Sequence, residues 1–405
     1  MPDDNALYPE QSADFFHRND LAEAYAEAAL DTSVGVNSGL FLAAPRRTGK
    51  STFVRQDLVP ALRRRDIDVL YVDLWADKSQ DPSILLSDAI RAELKKENGP
   101  IAKFAAKAGL AKFTIGALGN GLSFDLSQIG LSANATLTDA LTALASANGK
   151  RIVIVIDEAQ QALNSEAGAN ALFALKAARD ALNLAGKGLQ IIGTGSNRDK
   201  LGLLVQQREQ AFFGADLVNF PPLGQAYCDW LCKRQASLKL DPQRVFQVFT
   251  EAGSRPEMIA PVLRGLRLDP PAPDADVNDV FAQRVRERIV QWRQSFLSDF
   301  GQLPPLQQAL LREIAVDSLL PVSVKRDGLF GDAMKARLKR RMNADGQGVG
   351  SLGKDEGTST SAIQSALDAL RDKNFLWRAG RGAYWPEDEQ HVRWLVGQDG
   401  APAAA

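Results

Sequence analysis

The sequence predicts an α/β fold in which a parallel sheet is flanked by helices and fed by a phosphate-binding loop, with an all-helical region and a small mixed domain behind it. Three observations carry this expectation. The apolar run 39–43 leads directly into Ala44-Pro45-Arg46-Arg47-Thr48-Gly49-Lys50-Ser51-Thr52, a strand entering a loop of the G-x-x-x-x-G-K-[ST] kind. Residues 152–156 are five consecutive β-branched apolar residues followed by Asp157 and Glu158, the pattern of a strand buried on both faces. Around these two landmarks strand-like and helix-like segments alternate, which builds a parallel sheet.

The loop has chemistry of its own. Backbone N–H groups wrap around phosphates, a lysine adds a point charge, and the following hydroxyl holds Mg²⁺. Here Gly49, Lys50 and Ser51 form that core, with Pro45, Arg46, Arg47, Thr48 and Thr52 completing the nucleotide-binding stretch. Ala44 stands where the first glycine of the pattern belongs, and its Cβ is tolerated only at negative φ. Ligands of open parallel sheets bind outside the carboxyl ends of the strands, where Asp157 and Glu158 emerge. Asp157 is expected to hold Mg²⁺ together with Ser51, and Glu158 to polarise the attacking water as general base. The alternative is a charged pair that merely ends a core strand.

The elements follow in order. A strand near 39–44 is followed by a helix from Lys50, a strand over 69–74 and a helix over 82–96. The Ile152 strand, a helix over 169–184, a fourth strand at 189–193 and a short strand at 217–220 complete the sheet, and Pro221 and Pro222 close it. An insertion over roughly 100–137 begins amphipathic, with Lys103, Lys107 and Lys112 opposite Ile101, Phe104, Ala105 and Ala108. It is either a helix docked on the domain with solvated lysines or a face for an anionic membrane or nucleic acid. Residues 122–129 alternate apolar and polar and suggest a hairpin arm without basic residues. Three helical segments are expected at 224–236, 241–251 and 256–267. From 301 the pattern changes to helices at 305–314, 331–342 and 358–373, then two short strands around Gly380-Arg381-Gly382, the outline of a winged helix. The stretch 343–357 is a flexible loop by composition, and 401–405 a disordered end. The predicted domains are therefore 1–222, 223–300 and 301–396, with a disordered tail over 397–405.

Composition fits a soluble cytoplasmic protein with more than one core: 405 residues, 45% hydrophobic, formal net charge −1. Only two cysteines, Cys228 and Cys232, and two histidines, His17 and His391, are present, too few to favour a zinc site. The N-terminus lacks an apolar signal region, and no stretch approaches the about 20 apolar residues a bilayer span needs. Against this even charge, residues 321–381 carry twelve Lys/Arg and seven Asp/Glu, a net +5, an electrostatic footprint suited to nucleic acid. On a winged helix, Thr358, Ser359, Ser361, Gln364 and Ser365 would face a groove. Lys335, Arg337, Lys339, Arg340 and Arg341 would meet phosphates, and Arg378 or Arg381 the minor groove.

The order of these motifs resembles the AAA+ side of the P-loop ATPases, in particular the archaeal-type ATPase group and its STAND relatives. The resemblance rests on Arg46-Arg47 inside the loop, on Asp157-Glu158-Ala159-Gln160, on Thr194-Gly195-Ser196-Asn197 at a strand end and on Gly253-Ser254-Arg255-Pro256. It implies an AAA+-like fold with a helical lid and a C-terminal winged-helix domain, with ATP and Mg²⁺ as cofactors. Ser196 or Asn197 would orient the attacking water, and Arg255 would be the second sensor, reaching the γ-phosphate. Phe16-His17-Arg18-Asn19-Asp20-Leu21 is similar to the segment that leads in beside the adenine, although Asn19 or Asp20 serves equally as a helix cap. Adenine is preferred to guanine because no Asn-Lys-x-Asp occurs. The group often carries an arginine finger where this chain has Ala211-Phe212-Phe213-Gly214-Ala215, so Arg208 is the remaining candidate for a nucleotide-dependent homo-oligomer.

Two functions compete at this point. One is an ATPase switch that moves a basic winged helix on double-stranded DNA or on a DNA-bound partner. The other is a STAND-like signalling ATPase that controls a protein effector without touching DNA. A transcription factor whose loop only binds ligand is a third, weakened by the intact Glu158.

Overall fold

The computed structural model of the chain describes residues 14–33, 38–77, 79–96, 137–196, 198–320, 328–344, 358–380 and 383–398. Most of the predicted insertion over 100–137, with its three lysines and hairpin arm, lies outside these residues, as do Asn197, Arg381, the loop beyond 344 and the tail beyond 398. The chain forms two compact units, one of Met1–Ala44, Lys50–Ser196 and Lys200–Phe220, the other of Pro221–Ala405 together with Pro45–Gly49 and Asn197–Asp199.

In the first unit, α1 (Asn19–Leu30) precedes β1 (Leu40–Ala43), and α2 (Lys50–Phe53) runs through a π-helical turn, Val54–Leu58, into α3 (Val59–Arg64). Then come β2 (Asp68–Asp73), α4 (Pro82–Lys96), α5 (Leu137–Asn148), β3 (Ile152–Asp157), a 3₁₀ turn (Ala159–Asn164), α6 (Glu166–Leu184), β4 (Leu189–Gly195), α7 (Arg198–Gln206) and β5 (Asp216–Asn219). The five strands form one parallel sheet in the order β2-β3-β4-β1-β5. The β-branched run of β3 is buried on both faces because its side chains alternate between two cores. Ile152, Ile154 and Ile156 pack with α4, α5 and α6 through Leu86, Leu144 and Leu175. Val153 and Val155 pack on the other side with Ala26, Phe53 and Leu62 of α1, α2 and α3.

The same parity runs through the neighbouring strands, since Leu70 and Val72 join the first core while Val69 joins the second. Tyr71 packs against the second core, and with Asp73 and Asp157 it has the parity of the face toward α2 and its π turn. That π turn, α5 and α7 have no counterpart among the predicted elements. Asn19 and Asp20 do not cap α1: its cap is Arg18, with no side-chain bond. The Asp57 carboxylate of the π turn instead accepts from Arg18 N at 3.0 Å and lies 2.6 Å from His17 Nδ1.

The second unit opens with α8 (Gln225–Arg234), α9 (Pro242–Glu251) and α10 (Pro256–Leu268). Asp241 caps α9 by accepting from Gln243 N and Arg244 N, and Pro242 and Pro256 each sit in a first turn, where their missing N–H costs nothing. The long α11 (Val277–Gly301) leads to α12 (Pro305–Ser318), α13 (Asp332–Ala344), α14 (Thr360–Asp372), the antiparallel pair β6 (Leu376–Gly380) and β7 (Ala383–Pro386), and α15 (Glu389–Gln398). One core gathers Phe296 and Phe300 with Ile314, Leu338, Leu367 and Trp394. The sequence predicts a disordered tail from 397, whereas α15 continues to Gln398. Among the described residues no helix is long and apolar enough to cross a membrane.

Candidate functional site

The loop 44–49 turns on two left-handed residues, Arg47 (φ 66°) and Gly49 (φ 86°), while Ala44 stays out of that region. The departure from glycine at position 44 is therefore tolerated, and the unusual backbone falls on Arg47. Thr48 Oγ1 donates to Pro45 O at 2.9 Å and closes the loop on itself. Ala44 N reaches Gly195 O at 3.2 Å, which ties the start of the loop to the end of β4. Ser51 and Thr52 are exposed at the first turn of α2, and Lys50 is buried beside them.

Lys50 Nζ lies 3.3 Å from Glu158 Oε1, 3.1 Å from Thr194 Oγ1 and 3.6 Å from Asp157 Oδ1. Two strand ends, those of β3 and β4, thus converge on one ammonium. Asp157 ends β3, and both of its oxygens are engaged: Oδ1 accepts from Thr194 Oγ1, and Oδ2 from Tyr71 OH at 2.7 Å. Burial is the largest single influence on this carboxyl and pushes it upward. The Lys50 charge and hydrogen bonds from Thr194, Tyr71 and Ser51 outweigh it and hold Asp157 below the ordinary Asp value.

Glu158 leaves the strand in the left-handed region (φ 56°), a conformation that costs energy for a residue with a Cβ and that persists where the surroundings enforce it. The surroundings here are its acceptor contacts: Ser196 Oγ at 2.7 Å, Ser196 N at 3.2 Å and Gln160 Nε2 at 2.5 Å. A Cβ on Gly195 would stand 2.4 Å from Gln160 Oε1, so the end of β4 needs its glycine for this buried amide to keep its place. Ser196 is accordingly a partner of Glu158.

The donor set suits a hard divalent cation. The Ser51 hydroxyl is near enough to the Asp157 carboxylate to help hold it ionised, and no group of three or more His, Cys, Asp or Glu able to hold a metal occurs among the described residues. Mg²⁺ is commonly bound by one or two protein oxygens completed by water and phosphate, whereas a transition-metal cage needs more side chains.

The remaining sequence-assigned residues are in the second unit or in solvent. Arg255, the cap of α10, ion-pairs with Asp388 and lies 4.3 Å over the Trp292 ring. Arg47 ion-pairs with Glu257. Arg46, Arg47 and Arg255 share the lining of a cavity of about 830 Å³ with Glu257, Arg288 and Trp292. Arg208 stands exposed in the turn after α7 and has no hydrogen bond with the other site residues among the described ones.

Two expectations about the basic C-terminal region are corrected. Arg337 Nε donates to Glu313 Oε2 at 2.6 Å and its Nη2 to Asp317 Oδ1 at 2.7 Å, while Arg341 Nε reaches Glu313 Oε1 at 2.5 Å. Two carboxylates four apart on α12 therefore neutralise these arginines within the fold. Thr358 is buried and Ser359 caps α14 by accepting from Ala362 N at 3.2 Å, so neither faces outward as a groove-reading side chain. Tyr71, Thr194, Gln160 and Asp388 were not assigned roles from sequence. Gln160 bonds to Glu158 only two positions before it, whereas the contacts of Tyr71 and Thr194 depend on strand register and that of Asp388 on a partner 133 positions away, which no local pattern encodes.

No family model and no curated protein matches the chain. Solved structures do. A Walker-type ATPase of Pyrococcus abyssi is 18% identical, with 96% of this chain and 99% of that one covered and a TM-score of 0.56. The ORC2 protein of Aeropyrum pernix in its ADP form is 14% identical, with 98% and 97% covered and a TM-score of 0.51. The same protein in ADPNP–ADP complexes gives 13%, 98% and 98%, and 0.51. Identities this low establish the fold alone, a parallel sheet flanked by helices and fed by a phosphate-type loop.

Proposed function

We propose that the chain is an ATP-binding and ATP-hydrolysing switch of the AAA+ type whose C-terminal helices and hairpin act as a winged helix on DNA or on a DNA-bound partner. The observation that carries the reading is the buried network of Lys50, Asp157, Glu158, Thr194 and Ser196, assembled from the ends of β3 and β4 around the lysine that opens α2. The Aeropyrum pernix neighbour is solved with ADP and ADPNP, which supports an adenine nucleotide here.

In this reading the loop amides and Lys50 neutralise the phosphates. Glu158 takes a proton from water as the water oxygen bonds to the γ-phosphorus and the bond to the β–γ bridging oxygen breaks, leaving ADP and phosphate. Ser51 and Asp157 would hold Mg²⁺, which when bound neutralises charge on the phosphate oxygens. Ser196 and Gln160 orient the Glu158 carboxylate. Arg255 serves as second sensor once it leaves Asp388, and Arg208 is the candidate for action in trans. At the DNA face Lys335, Lys339 and Arg340 supply phosphate contacts, with Ser361, Gln364 and Ser365 toward the groove.

The test is ATP binding by calorimetry and steady-state hydrolysis, with and without duplex DNA, at about 0.15 M salt where weak electrostatic contacts are screened. Wild type should bind and hydrolyse ATP faster with DNA. Glu158→Gln should bind without turnover, and Lys50→Ala should lose binding. Retained affinity in Lys50→Ala would sink the nucleotide reading, and hydrolysis indifferent to DNA would move the search to a protein partner.

A further inference from the structure

Asp157 has a rotational problem that its strand does not solve. The terminal torsion of an aspartate is broad and roughly two-fold, so the direction of its oxygens is set by whatever donates to them. Thr194 from β4 fixes Oδ1 on one side. On the other side the donor is Tyr71, in the middle of β2. Tyr71 pairs in register with Val155, two residues before Asp157, and the diagonal to the next same-face position is within reach of an aromatic side chain.

The ring of Tyr71 is itself held. The guanidinium of Arg55 lies 4.6 Å over it and donates to Asp73 Oδ2 at 3.2 Å. Arg55 belongs to the π-helical turn that follows the loop lysine and serine. An interrupted helical repeat of this kind is frequent at functional sites, and here it carries Arg55 over the same sheet face as Tyr71.

We infer that Tyr71 is a positioning residue for the cation site: its hydroxyl, clamped by Arg55, fixes the Asp157 carboxylate in the orientation that it presents to Ser51. The inference rests on the nucleotide reading above and deepens it. Partners behind a ligand of this sort commonly change metal affinity by about 10- to 100-fold. A hydroxyl that merely satisfied a buried carboxylate would affect folding and leave the cation requirement alone.

The experiment is Tyr71→Phe, which keeps the ring and removes the donor. ATP binding is measured by calorimetry in a MgCl₂ titration and again in EDTA, beside the thermal midpoint of each protein. The half-saturating Mg²⁺ concentration should rise about tenfold, with ATP affinity in EDTA unchanged. An unchanged Mg²⁺ requirement, whatever the thermal midpoint does, overturns the inference. Arg55→Gln, at a half-exposed position, provides a second route should Tyr71→Phe not fold. It should shift the Mg²⁺ requirement in the same direction, and no shift overturns the inference equally. A wild type that binds no ATP in either MgCl₂ or EDTA would take down the nucleotide reading itself, whereas one that binds ATP equally in both would overturn this inference alone.

Discussion

Gly193 of β4 pairs with Phe41 of β1, and the smallest added side chain would collide with its neighbour. A Cβ there would stand 2.3 Å from two ring carbons of Phe41. That ring is fully buried and tilted against Phe212 at 5.3 Å, so it has nowhere to go. Gly193→Ala should destabilise the first unit by about 1–3 kcal/mol, the usual cost of overpacking, read as a lower urea midpoint. Gly202→Ala is the control, because its Cβ meets nothing closer than 3.6 Å, at the flexible end of Gln206. It should be neutral or stabilising by up to about 1 kcal/mol through helix propensity. Residues of this kind mark the limit of what one sequence discloses. Lys50, Asp157, Glu158 and Ser196 stand in short motifs whose chemistry is local, and the fold brings them together. Tyr71, Gly193 and the pairing of Arg255 with Asp388 depend on which strand or helix lies alongside, and a lone tyrosine in a strand has no spacing that distinguishes it from core.

At the scale of elements, α12 and α13 are joined by charge as well as by apolar packing. Glu313 is buried and accepts from both Arg337 and Arg341, with Asp317 taking the second nitrogen of Arg337. Removing one member of a buried ion cluster leaves its partners uncompensated, which costs more than the cluster gains over an apolar replacement. Glu313→Ala should therefore lower the stability of the second unit by about 3 kcal/mol, and replacing all four charges by apolar residues (Glu313→Leu, Asp317→Leu, Arg337→Met and Arg341→Met) should recover much of that loss. Recovery by the fourfold variant would mark the cluster as a folding device, and its absence would show that the ion pairs themselves hold the two helices. The elements themselves divide by the strength of their pattern. The strands and the helices behind α8, α9 and α10 announce themselves through β-branched runs, Asp241 before Pro242 and Pro256 after Arg255. The helix α15 was missed although Asp388 accepts from Gln390 N at 2.9 Å in a cap-like turn. Its apolar contacts, Val392, Trp394 and Leu395, follow too short a run to separate from loop. The π turn after α2 leaves no trace in the sequence, since one added residue per turn shifts a helical pattern without erasing it.

Across the molecule, the environment of His391 links stability to pH through the same cluster that holds Arg255. The imidazole stacks on Phe296 at 3.9 Å between Trp292 and Trp394, and its buried Nδ1 has no hydrogen-bond partner among the described residues. Arg255 sits over Trp292 and pairs with Asp388, three residues before the histidine. Burial first, and then the Arg255 charge, push His391 down to about 3 from 6.5. Above pH 6.5 the ring is neutral whether the chain is folded or not, and it contributes no pH dependence. Below that value the unfolded chain takes up a proton that the fold refuses until about pH 3, so stability is lost progressively as the pH falls through this window. Between pH 7 and 5.5 the loss should be about 1 kcal/mol, seen as a falling urea midpoint. Tryptophan fluorescence reports chiefly on this unit, because Trp230, Trp292, Trp377, Trp385 and Trp394 belong to it and only Trp75 does not. His391→Phe keeps an aromatic ring on Phe296 and removes the titrating group, and its midpoint should stay level over the same interval. A slope that survives the substitution would assign the pH dependence to the carboxylates instead and would leave the histidine as packing alone.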